Sequence, residues 1–318
     1  MYIVTILFLV IWNELSGCVM RMDLAVRSTA RRGDQVPYAT NGTVKLYHEA
    51  FGKPTDPAIV LVAGWGVQCV AYAVEWCQMF ADKGFRVIRF DNRDAGLSSK
   101  LEHATGDPPY TISDMAADTV AVLDSAGVPR AHVVGFSMGG MIVQRLAIEH
   151  PDRVASITSV MQSTGDPDVG YPSEEALATL FWPAPRSREE YIAQAIDGAR
   201  IYGSPGHFDA AWTAELAGQA YDRCFCPRGK ARQLAAASNE KSRTPSLSAL
   251  SVPALVLHGD RDPMVPISGG QRTAAVIPGA RFEVLRGMGH DWPPAYWPAI
   301  VELVTGHATS GRSLAEGN

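Results

Sequence analysis

Ala131-His132-Val133-Val134-Gly135-Phe136-Ser137-Met138-Gly139-Gly140 is the stretch on which the architecture turns. A short run rich in apolar and β-branched residues, ending at Phe136, predicts a buried strand. The residues from Met138 to Glu149 predict a helix that Pro151 ends. Between them Gly135-Phe136-Ser137-Met138-Gly139 occupies the strand-to-helix turn. A serine held there takes a strained backbone conformation, and Gly135 and Gly139 carry no β-carbon to clash as the chain reverses. The hydroxyl then projects above the sheet edge. The helix amino terminus behind it brings a partial positive charge and the N–H of Met138 to bear on any oxyanion formed beside Ser137. As a bare pentapeptide the pattern is weak; its place between strand and helix gives it meaning.

Working outward, short strand-like runs alternate with amphipathic segments of helical period from Tyr38 onward, the pattern of an α/β protein with a mostly parallel sheet covered on both faces. Strands are predicted at Thr43 to Phe51, Ala58 to Ala63, Phe85 to Phe90, Val154 to Val160, Ala254 to His258 and Ala280 to Leu285. Thr111 with Asp114 three residues on makes an acidic capping box for a helix that Gly127 stops. After Val160 the alternation breaks off, and helical patterns at Glu174 to Leu180, Arg188 to Ile201 and Asp209 to Tyr221 stand in its place. The expected organisation is a core at 36–163 and 248–307, a helical cap at 164–247, an extension at 1–35 and a disordered tail at 308–318. The last core helix is expected from about Tyr296 to Thr305.

The chain has 318 residues, 47% of them hydrophobic and 19% charged, with a formal charge of −5. Those values suit a globular fold. Without a basic run to neutralise phosphates, nucleic acid is not an expected partner. The five cysteines (Cys18, Cys69, Cys77, Cys224 and Cys226) form an odd, irregular set, read as free thiols. Cys224 and Cys226 lack the second pair that a closed zinc site needs. Tyr2 to Trp12 is apolar but too short to span a bilayer, and the segment ending in Leu15-Ser16-Gly17-Cys18 resembles a lipoprotein cleavage box. No basic residue precedes it, whereas Arg21, Arg27, Arg31 and Arg32 follow, the wrong asymmetry for export. We read it as an upstream extension, with Met20 or Met22 as alternative starts, of a cytoplasmic protein. Export, or membrane association through a lipid on Cys18, is the alternative.

A serine hydroxyl needs a general base, and the base needs an acceptor on its other nitrogen. His258-Gly259-Asp260-Arg261-Asp262-Pro263 follows a strand, and Gly287-Met288-Gly289-His290-Asp291-Trp292-Pro293 follows the last one. Both loops fall at the carboxyl edge that carries Ser137. Ser137, Asp262 and His290 are therefore the predicted nucleophile, orienter and base, with Asp260 and Asp166 as reserve acids. Ala63-Gly64-Trp65-Gly66 follows the first buried parallel strand, so the backbone N–H of Trp65 is the second oxyanion donor to expect, beside that of Met138. Trp65, Met264 and Trp292 are candidates for substrate contact. The reading calls for no metal and no cofactor.

With these motifs in order, the chain from Tyr38 resembles the α/β-hydrolase superfamily. Asp91 to Ser98, Gly135 to Gly140 and Gly287 to Pro293 resemble the small esterases related to aclacinomycin methylesterase and actinobacterial carboxylesterases. The resemblance implies an eight-stranded type of sheet and a carboxylic-ester hydrolase. The Asp91 to Ser98 loop reads as scaffold below the site. Many such relatives have His where this chain has Ala63. Serine at the turn argues against haloalkane dehalogenases and the usual epoxide hydrolases, which place Asp there. A carbon–carbon bond hydrolase, a thioesterase or a perhydrolase would use the same triad, and a ligand receptor could keep the fold without the chemistry. Aromatic residues of the cap (Phe181, Trp182, Tyr191, Tyr202, Phe208, Trp212 and Tyr221) suggest an apolar, medium-sized ester as the small-molecule partner.

Overall fold

Five consecutive apolar residues, Ala58–Val62, are buried, and so are all six residues of Ala131–Phe136, of which only His132 is polar, as strands covered on both faces must be. In the computed structural model these are neighbours in a single eight-stranded sheet. The structure describes residues 38–103 and 108–315, with side chains to 310. In chain order the elements are β1 (Tyr38–Asn41), β2 (Val44–Phe51), β3 (Ala58–Val62), α1 (Val74–Asp82), β4 (Arg86–Phe90), α2 (Ile112–Ser125), β5 (Ala131–Phe136), α3 (Met138–Glu149) and β6 (Val154–Val160). Five helices follow: α4 (Glu174–Thr179), α5 (Arg188–Tyr202), α6 (Ala210–Arg223), α7 (Pro227–Ser238) and α8 (Thr244–Leu247). The chain then returns to the sheet through β7 (Ala254–Gly259), α9 (Ser268–Val276), β8 (Arg281–Leu285) and α10 (Trp297–Ala315).

The strand order is β1-β2-β4-β3-β5-β6-β7-β8, antiparallel at the β1–β2 and β2–β4 pairs and parallel from β4 onward. From β3 the chain steps to one side, and after β4 it crosses back to the other. That reversal lies between β3 and β5, and a doubly wound sheet opens its ligand crevice at such a point, outside the strand carboxyl ends. Core side chains pack on both faces: Ile142, Val143 and Leu146 with Met115 and Leu123 on one, Trp76, Phe80, Phe136 and Trp297 on the other.

The capping box at Thr111 is present in both halves, with Asp114 N–H donating to Thr111 Oγ1 at 3.2 Å and Thr111 N–H to Asp114 Oδ2 at 2.8 Å. Three differences from the sequence expectation stand out. The last helix does not end near Thr305 with a disordered tail from 308; it continues to Ala315. A separate strand, β1, pairs with β2. Helices α7 and α8 were not expected, and α7 shows why. Its buried residues are Gly229, Gln233 and Ala236, so it has no hydrophobic stripe to betray it. Gly229 lies so close to the core that a β-carbon there would stand 2.2 Å from Asp94 O. Among the described residues no helix is long and apolar enough to cross a membrane. The apolar run at Tyr2 to Trp12, Cys18 and the alternative starts lie outside the described residues.

Candidate active site

Ser137 caps α3 with φ 53° and ψ −123°, a left-handed backbone that side chains avoid at a cost of about 1–3 kcal/mol. The glycines around it are required by space. A β-carbon on Gly135 would stand 2.1 Å from Gly139 O, and one on Gly139 would stand 2.1 Å from Val62 O. The turn is held by Ser137 N–H donating to Val160 O at 3.0 Å, and by Ser137 O accepting from Gly140 N–H and the Gln162 amide at 2.7 and 2.9 Å. Gly64, after β3, packs against the same residue: a β-carbon on it would lie 3.3 Å from Ser137 Cβ and 3.9 Å from Oγ. The Trp65 loop is thereby brought beside the serine, on the side of the crevice opposite to His290's approach from the β8 end of the sheet.

His290 lies with Nε2 2.9 Å from Ser137 Oγ and Nδ1 2.7 Å from Asp262 Oδ2. A carboxylate only accepts, so Nδ1 carries the proton, and Nε2 keeps a lone pair for the serine O–H. Asp262 is oriented in turn, because its Oδ1 accepts the N–H groups of Met264 and Val265 at 2.9 and 2.8 Å. The reserve acids are occupied elsewhere: Asp260 accepts from Gly287 N–H at 2.6 Å, while Asp166 pairs with Arg272 at 2.6 Å and accepts from Thr244 and Ser242.

His258 supports the acid from below. It is fully buried, and its Nε2–H donates to Val265 O at 2.7 Å, on the residue whose amide holds Asp262. Its Nδ1 has no hydrogen-bond partner, and a β-carbon on Gly270 would stand 2.3 Å from it. A second proton there would have no acceptor. Burial holds the pKa of His258 below the ordinary 6.5, and does the same at His48 and His307. The unfolded chain therefore binds protons near pH 6.5 that the folded chain resists, so stability present above that pH is lost as pH falls toward the depressed folded values. Urea melts between about pH 7.5 and 5 should show a declining unfolding free energy, less steep in His258→Gln. A flat profile would contradict the burial argument.

The substrate candidates fare differently. Trp65 turns its indole toward the cap, donating Nε1–H to Lys230 O at 2.6 Å, with Lys230 Nζ 4.2 Å above its ring. Met264 is half-buried beside the acid. Trp292 belongs mostly to the core, stacked on Tyr72 at 5.5 Å and 4.8 Å from Phe136 between ring centres. Of the cap aromatics, Tyr191 and Tyr221 pack on each other and on Phe225, Trp212 lies against Trp297, and Arg200 covers Phe208. Tyr202 meets His290 edge to face at 6.5 Å.

Several residues that the sequence reading passed over join cap to core. Asp91 pairs with Arg223 at 2.7 Å and Asp94 with Arg232 at 2.6 Å, both carboxylates being wholly buried. Gln233 accepts from Gly66 N–H at 2.8 Å and donates to Arg93 O at 2.8 Å. The Asp91 to Ser98 loop is thus scaffold in a particular sense: it is where α6 and α7 are charged into place. Only the unusual density of charge in Asp91-Asn92-Arg93-Asp94 hints at it in the sequence.

Comparison with known proteins agrees with the fold. Residues 57–196 match the family model described as alpha/beta hydrolase fold. A putative carbamate hydrolase RutD of Variovorax paradoxus is 30% identical over 252 residues, covering 77% of this chain and 89% of that protein. The chain belongs to the α/β-hydrolase family. Rhodomycin D methylesterase DnrP of Streptomyces peucetius is 29% identical over 290 residues, 84% of this chain and 96% of its own length. The solved structure of an N-acyl homoserine lactone degrading enzyme is similar at a TM-score of 0.66 and 27% identity, covering 85% of this chain and 99% of that one. In α/β-hydrolases the order Ser, Asp, His along the chain is the usual one, and it is the order of Ser137, Asp262 and His290 here.

Proposed function

We propose that this α/β-hydrolase cleaves carboxylic esters through an acyl-enzyme on Ser137. The observation that carries the reading is the unbroken line from Asp262 through His290 to Ser137, with hydrogen bonds of 2.7 and 2.9 Å. Ser137 Oγ attacks the ester carbonyl as its proton passes to His290 Nε2, and the imidazolium so formed is stabilised by Asp262. The tetrahedral oxyanion lies between the N–H of Met138, at the positive end of α3, and that of Trp65. Collapse expels the alcohol, which takes the proton from His290. Water, activated by the same imidazole, then releases the acid.

The methylesterase and lactone-degrading relatives support an ester or lactone carbonyl over a thioester or carbon–carbon bond. The substrate we infer is an uncharged ester of medium size with an apolar acyl part, admitted between Trp65, Met264 and the cap. A panel of p-nitrophenyl esters from acetate to palmitate tests this. Turnover should be greatest on the shorter chains and weak on palmitate; no turnover on any member, with no lactone or methyl ester cleaved, would refute the assignment.

A further inference from the structure

The loop that carries His290 is glycine-rich, with Gly287 at φ 80° and Gly289 beside the histidine. Such a loop would leave an imidazole poorly fixed, since a backbone free to turn costs conformational entropy to order. What fixes it comes from the cap. His290 N–H donates to Tyr202 O at 2.6 Å, at the carboxyl end of α5. Gly289 N–H donates to Ser204 Oγ at 2.9 Å, and the Ser204 hydroxyl donates to Asp291 Oδ1. Ser204 N–H completes the ring by donating to Asp291 Oδ2 at 2.9 Å. The two backbones are in tight contact: a β-carbon on Gly289 would stand 2.4 Å from Gly203 O, and one on Gly203 would stand 2.8 Å from Asp291 Oδ2. Ser204 is wholly buried.

We propose that Ser204 and Asp291 are positioning residues, which clamp the main chain on both sides of His290 to the end of α5 and so keep its imidazole in line between Asp262 and Ser137. Neither bonds to the imidazole or to Ser137; they act through the backbone of the base. The cap at this end is then a fixed part of the catalytic frame and not a door, because lifting α5 would draw His290 away with it. The inference rests on the triad reading above.

Ser204→Ala removes the donor to Asp291 Oδ1 and the acceptor of Gly289 N–H together. Asp291→Asn keeps the shape and one acceptor, and serves as the gentler second variant. A displacement of the base by about 1 Å costs on the order of a hundredfold in rate. For Ser204→Ala, kcat on p-nitrophenyl butyrate should fall by about ten- to a hundredfold with KM changed less than about twofold, and Asp291→Asn should fall between it and wild type. The rate at which a fluorophosphonate labels Ser137 should fall in parallel, because labelling needs the base and not the ester-binding surface. Thermal melts of each variant confirm that it is folded at the assay temperature. Both variants labelling and turning over within about twofold of wild type, or a raised KM with unchanged kcat, would overturn the clamp. A wild type that is not labelled at Ser137 would instead overturn the triad reading, and the clamp with it.

Discussion

Asp262→Asn should lower kcat by about 10⁴-fold with the fold intact and KM little changed. The reason is the fixed orientation of this side chain. Its Oδ1 accepts two main-chain N–H groups, from Met264 and Val265. An asparagine must keep its carbonyl oxygen there, so its NH₂ faces His290 Nδ1, where the carboxylate oxygen now accepts. Two donors cannot face each other, so His290 shifts its proton to Nε2 and presents an N–H to Ser137 where a lone pair is needed. Steady-state kinetics on a p-nitrophenyl ester, beside a thermal melt, checks both halves. Loss of activity below tenfold would mean that Asp262 does not set the tautomer.

Ser137→Ala should abolish turnover by at least about a thousandfold, through loss of the nucleophile. Ser137→Gly separates chemistry from strain. With φ 53° and ψ −123° the site suits glycine and no other residue, so this variant should be equally inactive yet more stable than Ser137→Ala by about 1 kcal/mol or more. Urea midpoints of the two variants, measured together, read the difference. Equal midpoints would show that the turn carries no strain, and retained turnover in either variant would remove Ser137 from the mechanism.

Much of this arrangement was legible in the residue order, for reasons that particular residues make plain. Strand β5 and helix α3 fall at the residues expected from the sequence, Ala131–Phe136 and Met138–Glu149, because a short run rich in apolar and β-branched residues and a proline stop are local signals. Ser137, Asp262 and His290 could be chosen together because each follows a strand, and parallel strands deliver their carboxyl ends to one edge. Helix α7 was invisible because it meets the core through glycine, glutamine and alanine, a surface shaped by close approach and not by oil. The hold on His290 was equally hidden. It runs from residues 202 and 204 to residues 289, 290 and 291, and three of its four hydrogen bonds use main-chain donors that any sequence would supply. The tail beyond Ala308 looked too small and polar to be ordered, yet α10 continues to Ala315 as a turn-by-turn extension of a helix already nucleated on the core through Trp297, Ile300 and Val304.

The paired charges beneath α6 and α7 bear on how such enzymes can be recombined. Because the cap is an insertion between two strands, exchanging it with a relative's is an obvious way to graft a new specificity onto an old catalytic frame. Here the graft would strand two deeply enclosed anions, Asp91 and Asp94, unless the incoming helices bring cations matching Arg223 and Arg232, and a lone buried charge costs several kcal/mol. The transferable unit is therefore the helices together with the acidic loop that receives them, a boundary drawn by electrostatics and not by chain connectivity.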